Sequence, residues 1–75
     1  MTSRVTVYIN RRPAKNIRVA FEYTGLTNLG FTKAVYTNDE GVAYVEHSSS
    51  GEANVYLNGS MKGKMRTPGQ EVFYL

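Results

Sequence analysis

The 75-residue sequence predicts an all-β domain, folded as an antiparallel sandwich or small barrel of about seven short strands. Three observations lead to this prediction. Apolar and polar residues alternate with a period of two through several segments, turn-forming residues recur about every eight to twelve positions, and no segment shows sustained helical periodicity. The length fits a single domain over residues 1–75, close to the lower size limit for a self-supporting core.

The first two predicted strands run over Arg4–Asn10 and Ile17–Tyr23. In both, every second residue is apolar, which is typical of a strand with one face on a core. Pro13 lies in the segment between them, where it fixes its own φ and disfavours helix at Arg12. We therefore expect a turn over residues 10–16.

A loop bracketed by two glycines, Thr24–Gly30, leads into a third predicted strand over Phe31–Tyr36 and a fourth over Val42–Glu46. Between these strands, Thr37–Gly41 predicts a tight hairpin. Asn and Asp side chains accept hydrogen bonds from their own backbone there, and Gly41 supplies the positive φ that closes the turn.

The fifth and sixth predicted strands, Ala53–Leu57 and Ser60–Met65, are joined by Asn58-Gly59. This dipeptide is a strong signal for a two-residue hairpin, because both central positions need a positive φ. Gly63 weakens the sixth strand. A turn around Pro68 then precedes a seventh strand over Glu71–Leu75.

This register predicts which side chains form the core, since alternate residues of a strand point to opposite faces. The residues expected to face inward are Val5, Val7, Ile9, Ile17, Val19, Phe21, Tyr23, Ala43, Val45, Val55, Leu57 and Val72.

Three segments taken together resemble the transthyretin-like sandwich, and more narrowly the carboxypeptidase regulatory-like domains and collagen-adhesin B-type repeats. They are the strand and proline turn over residues 5–19, the turn and strand Tyr36–Val45, and Gly51–Val55. The resemblance implies a Greek-key β-sandwich that serves as a non-catalytic recognition, spacer or accessory module. Arg11-Arg12 departs from the family pattern, which has a glycine before the proline.

Few residues offer catalytic or metal-binding chemistry. The chain has no cysteine and one histidine, His47, which we expect to lie exposed in a loop. A dyad with Ser48–Ser50 would need a third group to orient the ring. Asn38-Asp39-Glu40 lacks the ligand set of a calcium loop and is explained by the turn. The sequence therefore predicts no enzyme activity, no metal and no cofactor.

Composition bounds the location and partners only loosely. The net charge is +3, which permits weak attraction to polyanions. The first residues contain no apolar signal segment and no apolar run approaches a membrane span, so we expect a soluble protein without membrane insertion. It would be cytoplasmic if this is the full chain and on the cell surface if it is a domain of a longer one.

Tyrosines alternate away from the apolar face among basic residues, which marks a candidate ligand surface. Its residues are Tyr8, Arg18, Tyr36, Tyr44, Tyr56, Lys62 and Lys64. The leading hypothesis is a binding module for protein or carbohydrate, using this surface or the Gly25–Gly30 loop. The alternative is a small basic protein that binds single-stranded nucleic acid. A further alternative is weak self-association through the sparsely charged edge strand Val72–Leu75.

Overall fold

The computed structural model describes residues 1–25 and 28–75, and it contains two β-sheets packed against each other. The described strands are β1 (Thr2–Ile9), β2 (Arg12–Pro13), β3 (Arg18–Gly25), β4 (Asn28–Phe31), β5 (Val35–Tyr36), β6 (Val42–Glu46), β7 (Gly51–Leu57), β8 (Ser60–Thr67) and β9 (Gln70–Tyr74). The predictions of an all-β fold and of two packed sheets are confirmed. Within the described ranges, no helix has the length and apolar character that crossing a membrane requires.

The first sheet, here the β1 sheet, is built around β1. This strand pairs antiparallel with β2 and β6 and parallel with β9. The register places Val5 opposite Ala43 and Thr6 opposite Val72. The sandwich is therefore not purely antiparallel, because the first and last described strands run in the same direction.

The second sheet, here the β3 sheet, contains β3, β4, β5, β7 and β8. β3 pairs antiparallel with β4, β5 and β7, and β8 pairs antiparallel with β7. Asn58 and Gly59 join β7 to β8 with φ values of 53° and 83°. The predicted two-residue hairpin is confirmed, since both positions adopt the positive φ that the turn requires.

The core lies between the two sheets and is formed by alternate residues of the long strands. Its buried members are Val5, Val7, Ala14, Ile17, Val19, Phe21, Tyr23, Ala43, Val45, Ala53, Val55, Leu57 and Met65. Ten of the twelve residues predicted to face inward are in this cluster.

The inward prediction is wrong for Ile9 and Val72, which are 39% and 43% exposed. Ile9 has the right alternation, but it ends β1 beside the two-residue β2, so it lies at the margin of the core. Val72 is opposite Thr6 in the parallel pair, and Thr6 is on the outer side of β1. The alternation within β9 was visible in the sequence, but its register against β1 was not.

Thr37–Gly41 forms a turn, but the prediction that it closes a hairpin is wrong. The strand before it, β5, pairs with β3, whereas the strand after it, β6, pairs with β1. The turn therefore crosses from one sheet to the other. Thr37 fixes the crossing, because its buried hydroxyl donates to the Ala14 carbonyl and accepts the Ile17 N–H at 2.9 Å.

The predicted third strand, Phe31–Tyr36, is wrong over residues 32–34: only Phe31, at the end of β4, and Val35–Tyr36, which form β5, are in strands. Most of β4 lies in the segment that was predicted to be a loop. At the break, the Thr32 hydroxyl accepts the Phe21 N–H at 3.0 Å, a bond that a backbone carbonyl would make in a regular ladder. β2 and β4, which formed in segments predicted to be a turn and a loop, account for nine described strands where about seven were expected.

Candidate functional site

The seven predicted ligand residues lie on two outer faces. The outer face of the β1 sheet, here the β1 face, carries Tyr8 and Tyr44. The outer face of the β3 sheet, here the β3 face, carries Arg18, Tyr36, Tyr56 and Lys64. Lys62 is the extra residue at a β-bulge in β8, where the register shifts opposite Val55 and Tyr56.

A cleft of about 300 Å³ lies on the β3 face and is lined by Arg18, Ala20, Phe31, Tyr56 and Gly59. Ala20 forms its floor: it points outward between the core residues on either side of it, yet it is only 3% exposed. A small side chain surrounded by larger ones leaves a depression in an otherwise flat sheet. The depth of the cleft follows from this difference in size.

Two aromatic rings form one wall of the cleft. Phe31 and Tyr56 pack edge to face with ring centroids 5.1 Å apart, a favourable arrangement for aromatic pairs. Phe31 is 60% exposed, so most of its ring is in solvent. Tyr36, opposite Arg18 in the register, adds a second exposed ring on the same face.

Hydrogen bonds to Glu22 hold the Tyr56 ring in place. The Tyr56 hydroxyl and the Asn54 amide both donate to Glu22 Oε1, each at 3.1 Å. The hydrogen bond to this carboxylate raises the pKa of Tyr56 above its usual value, because loss of the phenolic proton would break the bond. Tyr56 is therefore oriented before any ligand arrives.

The charges of the β3 face are mixed. Lys64 lies 3.9 Å from the Glu52 carboxylate. Arg18 borders the cleft and forms no ion pair with the residues that the structure describes. Its guanidinium is therefore available to an anionic group beside the apolar cleft.

The β1 face has a different character. Tyr8 and Tyr74 stack on each other with centroids 5.6 Å apart and planes 18° from parallel. Tyr44 is 58% exposed, and beside it a broad depression of about 510 Å³ is bordered by Arg4, Asp39 and Glu40. Two of the three tyrosine rings are thus already engaged with each other, and charges of both signs surround the depression.

The expectation of an exposed His47 is wrong, since the residue is buried at 7% exposure. Its ring Nε2 lies 2.7 Å from Ser3 Oγ, and its Nδ1 lies 2.7 Å from the Ser49 carbonyl oxygen. The serine of this pair is Ser3, in β1, and not one of Ser48–Ser50. Ser3 is opposite Val45 in β6, a pairing that local sequence does not reveal.

The donors and acceptors of the His47 cluster follow from chemistry. A carbonyl oxygen only accepts, so Nδ1 of the neutral ring carries the proton toward Ser49, and the Ser3 hydroxyl donates to Nε2. Thr67 donates to the Gly51 carbonyl and therefore accepts from the Tyr23 hydroxyl at 2.7 Å. No buried side-chain polar atom in the described residues lacks a partner.

The His47 cluster joins strands but does not present a nucleophile. Ser3 is 1% exposed, and its oxygen also accepts the Gly69 N–H at 3.1 Å. A catalytic serine needs an open approach for the substrate carbonyl. Its hydrogen bonds connect β1, the residue after β6 and the segment before β9.

The turn residues hold one another in place. Asn38 Oδ1 accepts the backbone N–H groups of Glu40 and Val42, and Asp39 forms an exposed ion pair with Lys15 at 2.8 Å. The hydrogen bond and charge of Lys15 lower the pKa of Asp39 below its usual value. Across residues 1–25 and 28–75, no three His, Asp or Glu side chains converge as a metal site would require.

Sequence reasoning missed Ala20 and Phe31, which give the cleft its floor and wall. Ala20 was predicted only as an outward-facing residue between two core residues, and Phe31 only as the first residue of a strand. An alanine between Arg18 and Glu22 on an outward face was the available signal. The loop predicted over Gly25–Gly30 is strand wherever the structure describes it, because β3 ends at Gly25 and β4 covers Asn28–Phe31. Residues 26 and 27 lie outside the described residues.

Comparisons with protein-family models, curated proteins and solved structures found no match to this chain. The resemblance to transthyretin-like sandwiches therefore stays a prediction.

Proposed function

We propose that this chain is a non-catalytic binding module, and that the β3-face cleft receives an apolar side chain of a protein partner. The observation that carries the proposal is the cleft itself, with Ala20 as its floor, the Phe31–Tyr56 pair as its wall and Arg18 at its rim. Its volume of about 300 Å³ is at the lower end of the range for ligand sites and suits one side chain.

Arg18 indicates the chemistry of the partner next to the buried side chain. A guanidinium at the edge of an apolar pocket favours a carboxylate nearby, which it can bind through two hydrogen bonds. The expected ligand is therefore an apolar or aromatic residue followed or preceded by Asp or Glu. Aromatic residues and arginine are the types that contribute most to protein interfaces.

A protein ligand fits the β3 face better than a carbohydrate does. Sugar recognition needs side chains with free hydrogen-bonding capacity around the ring. Here the Tyr56 hydroxyl donates its only proton to Glu22, and the Asn54 amide donates one of its two N–H groups to the same oxygen, which leaves fewer groups free for a sugar. The resemblance to regulatory-like and adhesin domains, which we retain as a proposal, also favours an accessory or recognition role.

Nucleic-acid binding is the alternative, and the charge distribution supports it less. Glu22 and Glu52 lie among the cations of the β3 face, where a phosphate backbone would meet them. The two candidates differ in salt dependence. Polyanion binding weakens steeply and linearly on a log–log plot against salt, whereas binding in an apolar cleft changes little.

The experiment is a selection of peptides from a random library on the immobilised protein, followed by affinity measurements on variants of aromatic residues. We expect selected peptides to share an apolar residue next to an acidic one, and Phe31→Ala, which removes part of the cleft wall, to weaken their binding by about tenfold or more. Tyr44→Ala is the matched control, since the Phe31 and Tyr44 rings are 60% and 58% exposed but lie on different faces. A loss confined to Tyr44→Ala would overturn the proposal.

A further inference from the structure

β9 has one hydrogen-bonding edge that no described strand occupies, since its only described partner is β1. The Arg4 N–H donates to the Gly69 carbonyl, and the Leu75 N–H donates to the Tyr8 carbonyl. In a parallel pair, alternate residues point their backbone groups toward the partner. Odd-numbered residues therefore face β1, and Gln70, Val72 and Tyr74 direct their N–H and C=O groups away from it.

The side chains on this edge are uncharged and largely exposed. Val72 is 43% exposed and Tyr74 is 75% exposed, and Gln70 is on the same face. Edge strands usually carry charges or proline that discourage pairing with another chain. β8, the edge of the other sheet on this side, follows that rule with Lys62, Lys64 and Arg66. β9 has one charged residue, Glu71, and no lysine, arginine or proline.

Glu71 gives the β9 edge a partial shield. Its carboxylate accepts the Val72 N–H at 3.2 Å, which occupies one of the donors that face solvent. The bond is exposed, and water competes for both groups. An incoming strand that offers a carbonyl to Val72 can therefore displace it.

We propose that β9 pairs antiparallel with β9 of a second copy of this chain, with Val72 opposite Val72, joining two β1 sheets into one. In this register Gln70 lies opposite Tyr74 of the other copy. The three residues whose backbone groups point away from β1, which are Gln70, Val72 and Tyr74, therefore all enter hydrogen-bonded pairs. No two charged residues are opposite each other. The strand is self-complementary, which favours a second copy over an unrelated segment.

The proposal also predicts a weak dimer. One strand pair buries less than the roughly 1,200 Å² of a standard stable interface. Each copy carries a net charge of +3, so repulsion opposes association and salt should relieve it. Self-pairing should therefore strengthen as salt is added, the opposite of polyanion binding.

The test is sedimentation velocity of the full chain over a concentration range up to about 1 mM, where weak association becomes visible. We expect the wild type to shift toward a dimer with concentration and salt. Val72→Lys and Val72→Glu should each be monomeric, because like charges would be directly opposite at the two-fold axis. An equimolar mixture of these two variants should associate again, at least as well as the wild type.

Two further variants separate the edge from the rest of the molecule. Tyr44→Lys places the same charge on β6, away from the edge, and should dimerise like the wild type. Val72→Pro removes the Val72 N–H, which faces away from β1, and an edge strand tolerates proline at such a position. This variant should therefore stay folded, as measured by circular dichroism, but should no longer dimerise. A wild type that is monomeric throughout, a dimer that survives Val72→Lys, or a mixture that fails to associate would each overturn the proposal.

Discussion

Gly41 is held by two constraints at the point where the chain crosses between the sheets. Its φ is +76°, and a Cβ placed there would lie 2.6 Å from the Val7 carbonyl oxygen and 3.0 Å from the Ala14 nitrogen. Both neighbours are backbone atoms of the β1–β2 region, so they cannot move aside as a flexible side chain would. Glycine is required here for its conformation and for its lack of a side chain.

Gly41→Ala should therefore destabilise the fold by about 3 kcal/mol or more, the sum of a left-handed backbone and a backbone clash. Gly59→Ala is the control, with φ +83° and nothing within 4 Å of an added Cβ, and should cost only about 1–2 kcal/mol. Urea unfolding of both variants measures the difference. Equal losses would mean that the close approach to Val7 contributes nothing.

The Tyr56 phenol provides a spectroscopic probe of the candidate site. Its pKa is raised by the hydrogen bond to Glu22, so Glu22→Gln should bring the pKa back toward the ordinary tyrosine value. Because the folded-state pKa is the higher one, this bond contributes stability below the unfolded pKa. That contribution is lost as the pH rises through the folded value. NMR titration of the ring carbon signals measures the shift, and an unchanged pKa in Glu22→Gln would contradict the assigned bond.

At the scale of elements, the His47 cluster joins the ends of three segments that are far apart in sequence. Ser3 is in β1, His47 follows β6, and Gly69 precedes β9. The Ser3 O–H donates to the ring, and its oxygen accepts the Gly69 N–H, so one hydroxyl satisfies two partners. Leaving such partners without a hydrogen bond is costly.

Ser3→Ala should lower the free energy of unfolding by about 2 kcal/mol, since it leaves a ring nitrogen and a backbone N–H without partners. Ser50→Ala is the matched control, because Ser50 is exposed, and should stay within about 0.5 kcal/mol of the wild type. Thermal or urea unfolding gives both values. In the wild type, ring ¹⁵N shifts should also show the neutral His47 protonated at Nδ1, and a proton at Nε2 would contradict the assigned network.

Turns and strands whose conformation depends on residues nearby in the sequence were predictable. The turn at Asn58-Gly59 and the strand Val42–Glu46 have the bounds that local pattern indicates, because turn chemistry and alternation act over a few residues. The partners of those elements were not predictable in the same way. Whether β5 and β6 pair with each other or with different sheets depends on distant strands, and Thr37–Gly41 carries the same turn residues in either case.

The candidate site shows the same limit. Tyr36 and Tyr56 were identified as exposed aromatic residues from alternation alone. Their separation from Tyr8 and Tyr44 was not predicted, because alternation gives the face of each strand but not the sheet to which the strand belongs. His47 was assigned to solvent because its neighbours are polar, whereas its burial results from Ser3, which is far away in sequence.

At the scale of the whole molecule, the sandwich presents two unlike surfaces. The β3 face has a cleft with an alanine floor and an arginine at its rim, and the β1 sheet ends in an edge strand, β9, whose single charged residue is Glu71. The two features are in different sheets, so a ligand on the β3 face and a second copy at β9 do not compete for the same residues. We propose that the β3 face binds the ligand and that the β9 edge binds the second copy.

Backbone amide chemical shifts locate the ligand on the protein and so test binding at the β3 face. A ¹⁵N-labelled sample is titrated with a selected peptide that contains an apolar and an acidic residue. We predict that the largest shifts fall on Ala20, Phe31, Tyr56 and Gly59, and that those of Ala20, Tyr56 and Gly59 are lost in Phe31→Ala. Shifts concentrated on β1 and β6, with the β3 face unchanged, would contradict binding in the cleft.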